Sequence, residues 1–437
     1  MIAADNILTA RWILPVEPDA LVLEHHALIL HEGRIHDLLP IDEAIRHYPD
    51  TPVEEFSAHA LIPGFVNAHT HAAMALMRGI ADDKPLMEWL TDHIWPLEHR
   101  WMGEAFVRDG SDLAMAEMIR GGVTCFNDMY FFPEVTAQRA IRCGMRAVLG
   151  MIMVDFPSAW ASGPEEYLEK GLTLRDEMLN DPLVSFAFAP HAPYSVGDEP
   201  LRRIATLAAE LDVPIHMHLH ETATEIDQSR RQFGLRPFNR LKQLELLGPN
   251  YIAVHMTQLN DEEITQLAAA GVSVVHCPES NLKLASGFCP VARLVAAGVN
   301  VAIGTDGAAS NNDLDVMGEM RMAALLAKAV SGDASAIPAK TALRMATLNG
   351  ARALGLESEI GSLERGKRAD ITAVRLDGIE TQPLFDPISD LVYAASRHQV
   401  SDVWVEGRRL LRDRQLTTLD IDEIRQKAAD WRQKLLS

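Results

Sequence analysis

The amino-acid sequence predicts an α/β protein: a (β/α)8 TIM barrel with a small β-sandwich domain formed from both chain ends. Three observations lead to this prediction. The middle of the chain repeats a unit in which an apolar run rich in β-branched residues precedes a longer segment with helical periodicity. Both chain ends instead show short β-like runs separated by turn residues. Polar residues that could carry chemistry follow the apolar runs, at the end of a barrel where active sites are built.

The repeating unit of the middle section occurs eight times. Strands that are joined by helices must run parallel, and eight parallel strands close into a barrel. A doubly wound open sheet is the alternative that the pattern alone leaves open. The eight apolar runs are residues 60–66, 124–126, 146–149, 184–188, 215–219, 251–254, 272–275 and 299–303.

The two chain ends share a pattern of short apolar runs and turns that the middle section lacks. A short apolar run precedes the turn Glu32-Gly33 near the start, and another precedes the turn Glu406-Gly407 near the end. A final amphipathic helix is predicted around residues 421–436. Two such separated segments can form one small sheet domain. We therefore predict a β-sandwich domain from residues 1–59 and 370–437, and a barrel domain from residues 60–369.

Composition and charge narrow the range of partners. Of the 437 residues, 40 are Lys or Arg and 61 are Asp or Glu, which gives a formal net charge of −21. Such a surface repels phosphate backbones and anionic lipids, so we expect no nucleic-acid or membrane partner. No CxxC pair, secretory signal pattern or long apolar run is present, and we expect a cytoplasmic protein.

Histidine and acidic residues collect at the ends of the predicted strands. Core histidines placed at random would not gather at one end of a barrel, so this distribution indicates an active site. Taken in chain order, these residues are His69, His71, His191, His218, Glu221, His255, His276 and Asp306.

The pair His69 and His71 can share one metal ion. Residues two apart in an extended chain project to the same face. Asp306 ends the eighth run between two nearby glycines, where it could supply a carboxylate ligand or simply cap the next helix. Three histidines with one aspartate suit zinc, with iron as a substitute.

The fifth run places three alternating histidines on one face of a strand, and at most one of them is needed as a ligand. We choose His218, because Glu221 can then stand beside the metal without binding it. His216 and His220 are expected to take hydrogen-bonded structural places.

Seven stretches of the sequence carry a resemblance to a known family. They are residues 63–71, 95–98, 190–195, 218–221, 276–284, 304–307 and 361–370. Together they resemble the amidohydrolase superfamily, in particular the branch of 5-methylthioadenosine and S-adenosylhomocysteine deaminases. The resemblance covers nearly the whole chain.

The resemblance implies a role for each of several residues. Glu221 would be the proton shuttle, and His255 would orient the attacking water unless it is only a satisfied strand-end histidine. The implied metal ligands are His69, His71, His218 and Asp306. The implied catalytic residues are Glu221, His255 and Asp306. The implied substrate-binding residues are Glu98, which could instead be a solvated helix residue, His191, Glu221, Asp306 and Arg146.

The implied reaction is hydrolytic deamination of the adenine base of 5′-methylthioadenosine, or of S-adenosylhomocysteine or adenosine, by metal-activated hydroxide. Two-metal relatives bridge their ions with a carboxylated lysine, but no lysine occurs between Lys170 and Lys242, so one divalent metal, Zn²⁺ or Fe²⁺, is expected. Residues 153–164 contain no Arg or Lys and offer Phe156 and Trp160, which favours a methylthio tail.

Other functions stay open at this stage. A deaminase or hydrolase of another heterocycle, of the guanine or triazine type, would use the same site. A non-catalytic metal-stabilised scaffold would lack a ligand or Glu221, and all of these residues are present. We expect a small nucleoside as the partner and a homo-oligomer as the assembled state.

Overall fold

The structure, a computed structural model, describes residues 4–437, so the first three residues of the predicted N-terminal segment lie outside it. Its β-strands form two eight-stranded sheets. In chain order the strands are β1 (Asn6–Ile13), β2 (Leu23–His31), β3 (Arg34–Pro40), β4 (Val53–Pro63), β5 (Phe65–Thr70), β6 (Val123–Asp128), β7 (Arg146–Met153), β8 (Val184–Pro190), β9 (Ile215–Leu219), β10 (Tyr251–His255), β11 (Ser273–His276), β12 (Val301–Ile303), β13 (Ile371–Arg375), β14 (Val400–Val405), β15 (Arg408–Arg412) and β16 (Gln415–Leu416).

Strands β5 to β12 form the barrel. They are parallel, and each pairs with the next strand along the chain. Strand β12 returns to the side of β5, where the backbone N–H of Asp306 donates to the carbonyl of His69 at 3.0 Å. The strand order has no reversal of the kind that defines a doubly wound sheet. The predicted barrel is confirmed, and the open-sheet alternative is wrong.

The first predicted run is divided between the two sheets. Residues 60–66 contain the end of β4, which belongs to the other sheet, and the start of β5. A Cβ atom on Gly64, between them, would lie 2.1 Å from the side chain of Thr124, so only glycine fits this close approach. Since β4 extends past the predicted limit at residue 59, we propose Gly64 as the junction of the two domains.

Helices follow the barrel strands and cover the sheet. Asn260 and Glu263 form a capping box at the start of one of them, and Gly271 ends it in the left-handed conformation. The α-helices are α1 (Ile41–His47), α2 (Leu86–Glu88), α3 (Trp95–Trp101), α4 (Glu104–Arg120), α5 (Pro133–Cys143), α6 (Pro164–Met178), α7 (Asp198–Leu211), α8 (Ala223–Phe233), α9 (Pro237–Gln243), α10 (Asp261–Ala270), α11 (Pro278–Lys283), α12 (Val291–Ala296), α13 (Val316–Ser331), α14 (Ala339–Met345), α15 (Leu348–Ala353), α16 (Pro387–Tyr393) and α17 (Ile421–Leu435). A π-helix spans Trp89–Ile94, and 3₁₀ turns span Ala72–Met77, Ile379–Thr381 and Arg397–Gln399.

The second sheet joins both chain ends, as predicted for the β-sandwich domain. Its strand order is β16-β15-β14-β13-β4-β1-β2-β3, and β4 pairs antiparallel with β13, which brings the two ends together. The sheet has an apolar core of its own, in which Phe56 packs edge-to-face on Trp404 with 5.5 Å between ring centroids. Among residues 4–437, no helix is long and apolar enough to cross a membrane.

A buried ion pair connects the barrel to the second sheet. Arg146, the first residue of β7, donates from Nε to Asp370 at 3.1 Å and from Nη2 to Glu406 at 3.2 Å. Its Nη1 also donates to the carbonyl of Pro182 at 2.9 Å. The side chains of Arg146 and Asp370 are only 6% and 1% exposed. Removal of Arg146 would leave the buried carboxylate of Asp370 without its charged partner.

We expect Arg146→Met to lower the free energy of unfolding by about 3–5 kcal/mol, because Asp370 would stay buried without its partner. Denaturant unfolding measures this loss. Arg203→Met is the matched control, since Arg203 pairs with Glu165 at an exposed position, and we expect that change to cost less than about 1 kcal/mol. Equal losses in the two variants would contradict the structural role of Arg146.

Candidate active site

A cavity opens at the carboxyl ends of the barrel strands. The loops after the strands form its walls, and the predicted polar residues reach it from several different strands. Of the site residues predicted from the sequence, those that line the cavity are His71, Glu98, His191, His218, Glu221, His255 and Asp306.

Four side chains converge at the inner end of this cavity. The ligand atoms of His69, His71, His218 and Asp306 all lie within 4.8 Å of one another. Asp306 Oδ1 is 3.2 Å from Nε2 of both His69 and His71, and the Nε2 atoms of His69 and His218 are 3.1 Å apart. Strands β5, β9 and β12 supply these residues, so the closure of the barrel brings them together.

The hydrogen bonds of the histidine rings indicate which nitrogen is free. Nδ1 of His71 donates to the carbonyl of Met129 at 2.6 Å, and Nδ1 of His218 donates to the carbonyl of His191 at 2.8 Å. A neutral imidazole with a proton on Nδ1 has a lone pair on Nε2. These lone pairs and the Asp306 carboxylate converge on one point, where a cation could accept all of them. The donor set therefore fits a divalent metal ion.

His216, in β9, and His220, directly after it, have structural contacts, as the sequence predicts. His216 Nε2 lies 2.9 Å from Nδ1 of His69, on the side of that ring away from the cluster. His220 Nε2 accepts the backbone N–H of Phe238 at 3.1 Å. His216 therefore orients the ring of His69, while His220 anchors the start of α9.

Asp306 is held by hydroxyl groups on its other oxygen. Ser280 Oγ donates to Asp306 Oδ2 at 2.6 Å, and Ser310 Oγ lies 3.0 Å from the same atom. The backbone N–H of Gly307 donates to Oδ1 at 2.8 Å. Because Oδ2 is engaged in this way, Oδ1 is the oxygen that faces the histidines.

Glu221 stands beside the cluster with its backbone clamped and its carboxylate directed into the cavity. Glu225 accepts the backbone N–H groups of His220 and Glu221 at 3.0 and 2.7 Å. The Glu221 side chain is 7% exposed, and burial, assisted by the charge of Asp306, raises its pKa to about 8. A carboxyl with such a pKa can exist in both protonation states near neutral pH, as a proton shuttle requires.

His255 lies beside Glu221 at the cavity wall. Its Nδ1 lies 2.9 Å from Asn281 Oδ1, which accepts the ring proton, and its Nε2 is 3.8 Å from Glu221 Oε2. Burial lowers the pKa of His255, which favours the neutral ring. The residue has a φ of 77°, a left-handed conformation that a side chain other than glycine adopts only where its surroundings fix it. Asn281 thus determines which nitrogen of His255 points into the cavity.

Glu98 and His191 also line the cavity, and the ring of His191 lies 4.9 Å from that of His218 between centroids. Tyr130 donates its hydroxyl to Glu98 Oε1 at 2.7 Å, and burial raises the pKa of Glu98. His191 follows β8, and its Nδ1 is 2.9 Å from Ser195 Oγ. Glu98 is therefore an oriented group inside the site and not a solvated helix residue.

Known proteins share this architecture. The model of the amidohydrolase family matches residues 60–410. The chain belongs to the amidohydrolase family. It is 52% identical over 431 residues to a 5-methylthioadenosine/S-adenosylhomocysteine deaminase from Teredinibacter turnerae. The alignment covers 99% of this chain and 98% of that protein. This identity places the chain in the deaminase branch that the motifs resemble.

Two solved structures are also similar. One is an adenosine deaminase from Xanthomonas campestris with bound zinc, at 52% identity and a TM-score of 0.98, covering 99% of both chains. The other is the atrazine chlorohydrolase TrzN from Arthrobacter aurescens, at 23% identity and a TM-score of 0.90, covering 98% of this chain and 99% of that one. The second likeness concerns the fold alone.

The outer part of the cavity in this amidohydrolase is apolar. Of the described residues, no lysine or arginine lines it. Phe156 lines the wall as the sequence predicts, but Trp160 is buried beside Tyr167 and donates its indole N–H to Glu134 at 3.0 Å. The apolar lining residues are Met74, Leu86, Trp89, Leu90, Ile94, Trp95, Met129, Phe131, Ile152, Val154, Phe156 and Leu284.

The structure does not bring Arg146 to this cavity. A parallel barrel strand has its active-site end at its carboxyl terminus, and Arg146 is the first residue of β7. Its charge is instead matched by Asp370 and Glu406 at the opposite end of the barrel. The sequence placed this residue by resemblance alone, without reference to its position along the strand.

Several residues of the site have contacts that the sequence did not predict. Tyr130 lies two residues after β6, a position that signals an active-site loop, yet no motif marked it. Ser280 and Asn281 belong to the stretch 276–284 that resembles the family, but only the structure shows that they hold Asp306 and His255.

We expect His69→Ala and Asp306→Ala each to lower the metal content of the purified protein and to abolish its activity, because each removes one of the converging ligands. Elemental analysis of metal per chain is the measurement. His276→Gln is the control, since His276 ends a strand but lies outside the cluster and should leave the metal in place. Full metal occupancy in either alanine variant would remove that residue from the site.

Proposed function

We propose that this amidohydrolase converts 5′-methylthioadenosine and water into 5′-methylthioinosine and ammonia. The observation that carries the proposal is the placement of Glu221, with its raised pKa, between the four-ligand cluster and a cavity that also holds Glu98. The relative from Teredinibacter turnerae, named as a 5-methylthioadenosine/S-adenosylhomocysteine deaminase, supports the same reaction.

We assign the metal ligands to His69, His71, His218 and Asp306, and we propose zinc as the ion, since the structure from Xanthomonas campestris is described with bound zinc. A divalent ion held by these residues would lower the pKa of a water molecule from about 15.7 to about 7 and would thereby supply a nucleophile near neutral pH. The absence of a lysine between Lys170 and Lys242 supports a single ion.

Glu221 is proposed to move the protons of the reaction. It accepts a proton from the attacking water and delivers it to N1 of the adenine ring, so that the C6 carbon becomes tetrahedral. The same carboxyl then assists proton transfer to the amino group, which leaves as ammonia while the C6–O bond becomes a carbonyl. Its buried carboxyl group, which lines the cavity, supports this role.

The remaining residues of the site bind and orient the substrate. His255 directs Nε2 into the cavity because Asn281 accepts the proton on Nδ1, so it can orient the attacking oxygen. Glu98 is proposed to accept hydrogen bonds from the ribose hydroxyl groups, and His191 to contact the purine. Tyr130 favours this geometry because it occupies one oxygen of Glu98 and leaves the other available.

Two further proposals concern the cellular compartment and the assembly of the chain. We propose that the chain acts in the cytoplasm, as its cysteine usage indicates, and that it forms a homo-oligomer. The oriented Glu98 favours a nucleoside over a free base, which disfavours the guanine and triazine alternatives.

We expect Glu221→Gln to retain about one metal ion per chain and to lower turnover by about 10²-fold or more, the usual scale for loss of a general acid/base. Elemental analysis and the ultraviolet change from adenine to hypoxanthine measure the two quantities. Loss of the metal in this variant would identify Glu221 as a ligand and contradict the proposed role.

The tail of the preferred substrate follows from the lining of the outer cavity. S-adenosylhomocysteine carries a carboxylate and an ammonium group, and desolvation of charges without partners costs several kcal/mol. The methylthio group of 5′-methylthioadenosine is apolar, and its burial is favourable by about 0.8 kcal/mol per methylene-sized unit. A cavity without lysine or arginine therefore favours the methylthio tail.

We expect kcat/KM for 5′-methylthioadenosine to exceed that for S-adenosylhomocysteine at least about tenfold, since about 1.4 kcal/mol suffices for that factor. Kinetics on both nucleosides, with adenosine as the reference without a tail, measure the preference. Phe156→Lys tests the cause: a cation in the cavity wall should reduce the preference. Equal or better efficiency on S-adenosylhomocysteine with the unaltered chain would show that a cation reaches the tail.

A further inference from the structure

We propose that Trp431, in the C-terminal helix α17, is a positioning residue for the active site. It packs against Trp101 and thereby holds helix α3, which carries Glu98, at the cavity wall. The proposal rests on the proposed role of Glu98 in binding the ribose. It gives the predicted amphipathic helix at the chain end a part in substrate binding.

Helix α3 is the last segment of a continuous helical stretch, residues 86–101, and it ends at Trp101. It has seven residues, and none of them is fully buried. The π-helix Trp89–Ile94 precedes it, and extended residues Met102 and Gly103 follow it. Because no residue of α3 is fully buried, the position of this last segment depends on what its side chains pack against.

The side chains of α3 point in two directions. Trp95 and Glu98 line the cavity, whereas Trp101, at the last residue of the helix, contacts the C-terminal helix. The Trp101 and Trp431 rings meet edge-to-face, with 6.3 Å between centroids and an interplanar angle of 87°. Among the described residues, the buried indole nitrogen of Trp101 has no hydrogen-bond acceptor. Packing, rather than hydrogen bonding, therefore holds Trp101.

Trp431 is itself firmly fixed to the barrel. It is 5% exposed, and its indole N–H donates to Asp109 Oδ2 on α4 at 2.9 Å. Its ring meets Phe106 edge-to-face with 5.3 Å between centroids. Lys434, one turn further along α17, places its Nζ 4.1 Å from the centroid of the Trp431 ring. Helix α4 is the long helix that directly follows α3. Trp431 contacts both helices and so fixes the position of α3 relative to α4.

The contact is continuous with the cavity wall. Trp431 and Leu435 belong to the same apolar cluster as several side chains that line the cavity. A shift of the C-terminal helix would therefore change the packing of residues that line the cavity. These cavity-lining members of the cluster are Met74, Leu86, Trp89, Leu90, Ile94, Tyr130 and Leu284.

The test compares substitutions on the same helix. We expect Trp431→Leu to raise the KM for 5′-methylthioadenosine, and the Kd of the product 5′-methylthioinosine, by about tenfold or more, because a displaced Glu98 loses its geometry. The metal content should be unchanged and kcat should change much less than KM. Trp431→Phe keeps an edge-to-face ring and should restore KM. Ile424→Ala, a buried change on α17 outside the cluster, should lower stability without changing KM.

Two further measurements separate positioning from a loss of stability. A double-mutant cycle of Trp431→Leu with Glu98→Gln should be non-additive, since the tryptophan acts through the glutamate. Amide hydrogen exchange should rise in residues 86–102 of Trp431→Leu and stay unchanged in residues 23–40 of the second sheet. Unchanged exchange, an unchanged KM and Kd, or additive effects would each overturn the proposal. If the unaltered chain deaminates no nucleoside, the proposed function fails, while the exchange result still decides whether Trp431 holds α3.

Discussion

The site depends on the convergence of three imidazole nitrogens and one carboxylate at a single buried point. Backbone carbonyls accept the Nδ1 protons of His71 and His218, so their lone pairs are directed at each other and at Asp306. Such a cluster suits a cation, because the lone pairs and the negative oxygen converge on one point. Barrel closure creates this constraint, since β5, β9 and β12 supply the ligands, and it defines where the substrate must bind.

The burial that makes the cluster suitable for a metal also prepares the catalytic groups. In a poorly solvated cavity the charged form of Glu221 is disfavoured, and its pKa rises to about 8. The same environment keeps His255 neutral and makes the cavity costly for a charged substrate tail. One physical property, exclusion of water at the end of the barrel, therefore acts on acid/base chemistry and on substrate choice together.

The second domain contacts the barrel at both of its ends. The buried pair of Arg146 and Asp370 connects the amino end of β7 to the second sheet, where it stabilises the joint. At the other end, α17 leaves that sheet and packs Trp431 behind the helix that carries Glu98. The proposed role of Trp431 would make α17 part of the framework of the active site.

The sequence by itself determined the alternation of strands and helices and the residues expected at the metal cluster. These depend on local rules: the two-residue spacing of His69 and His71, and the position of Asp306 directly after an apolar run. Tertiary structure alone decided the direction of Trp160, the hydrogen bond of Tyr130 to Glu98, and the ion pair of Arg146 with Asp370. The physical reason is that each of these depends on packing between segments distant in the sequence, and no local pattern records which neighbour a side chain will meet.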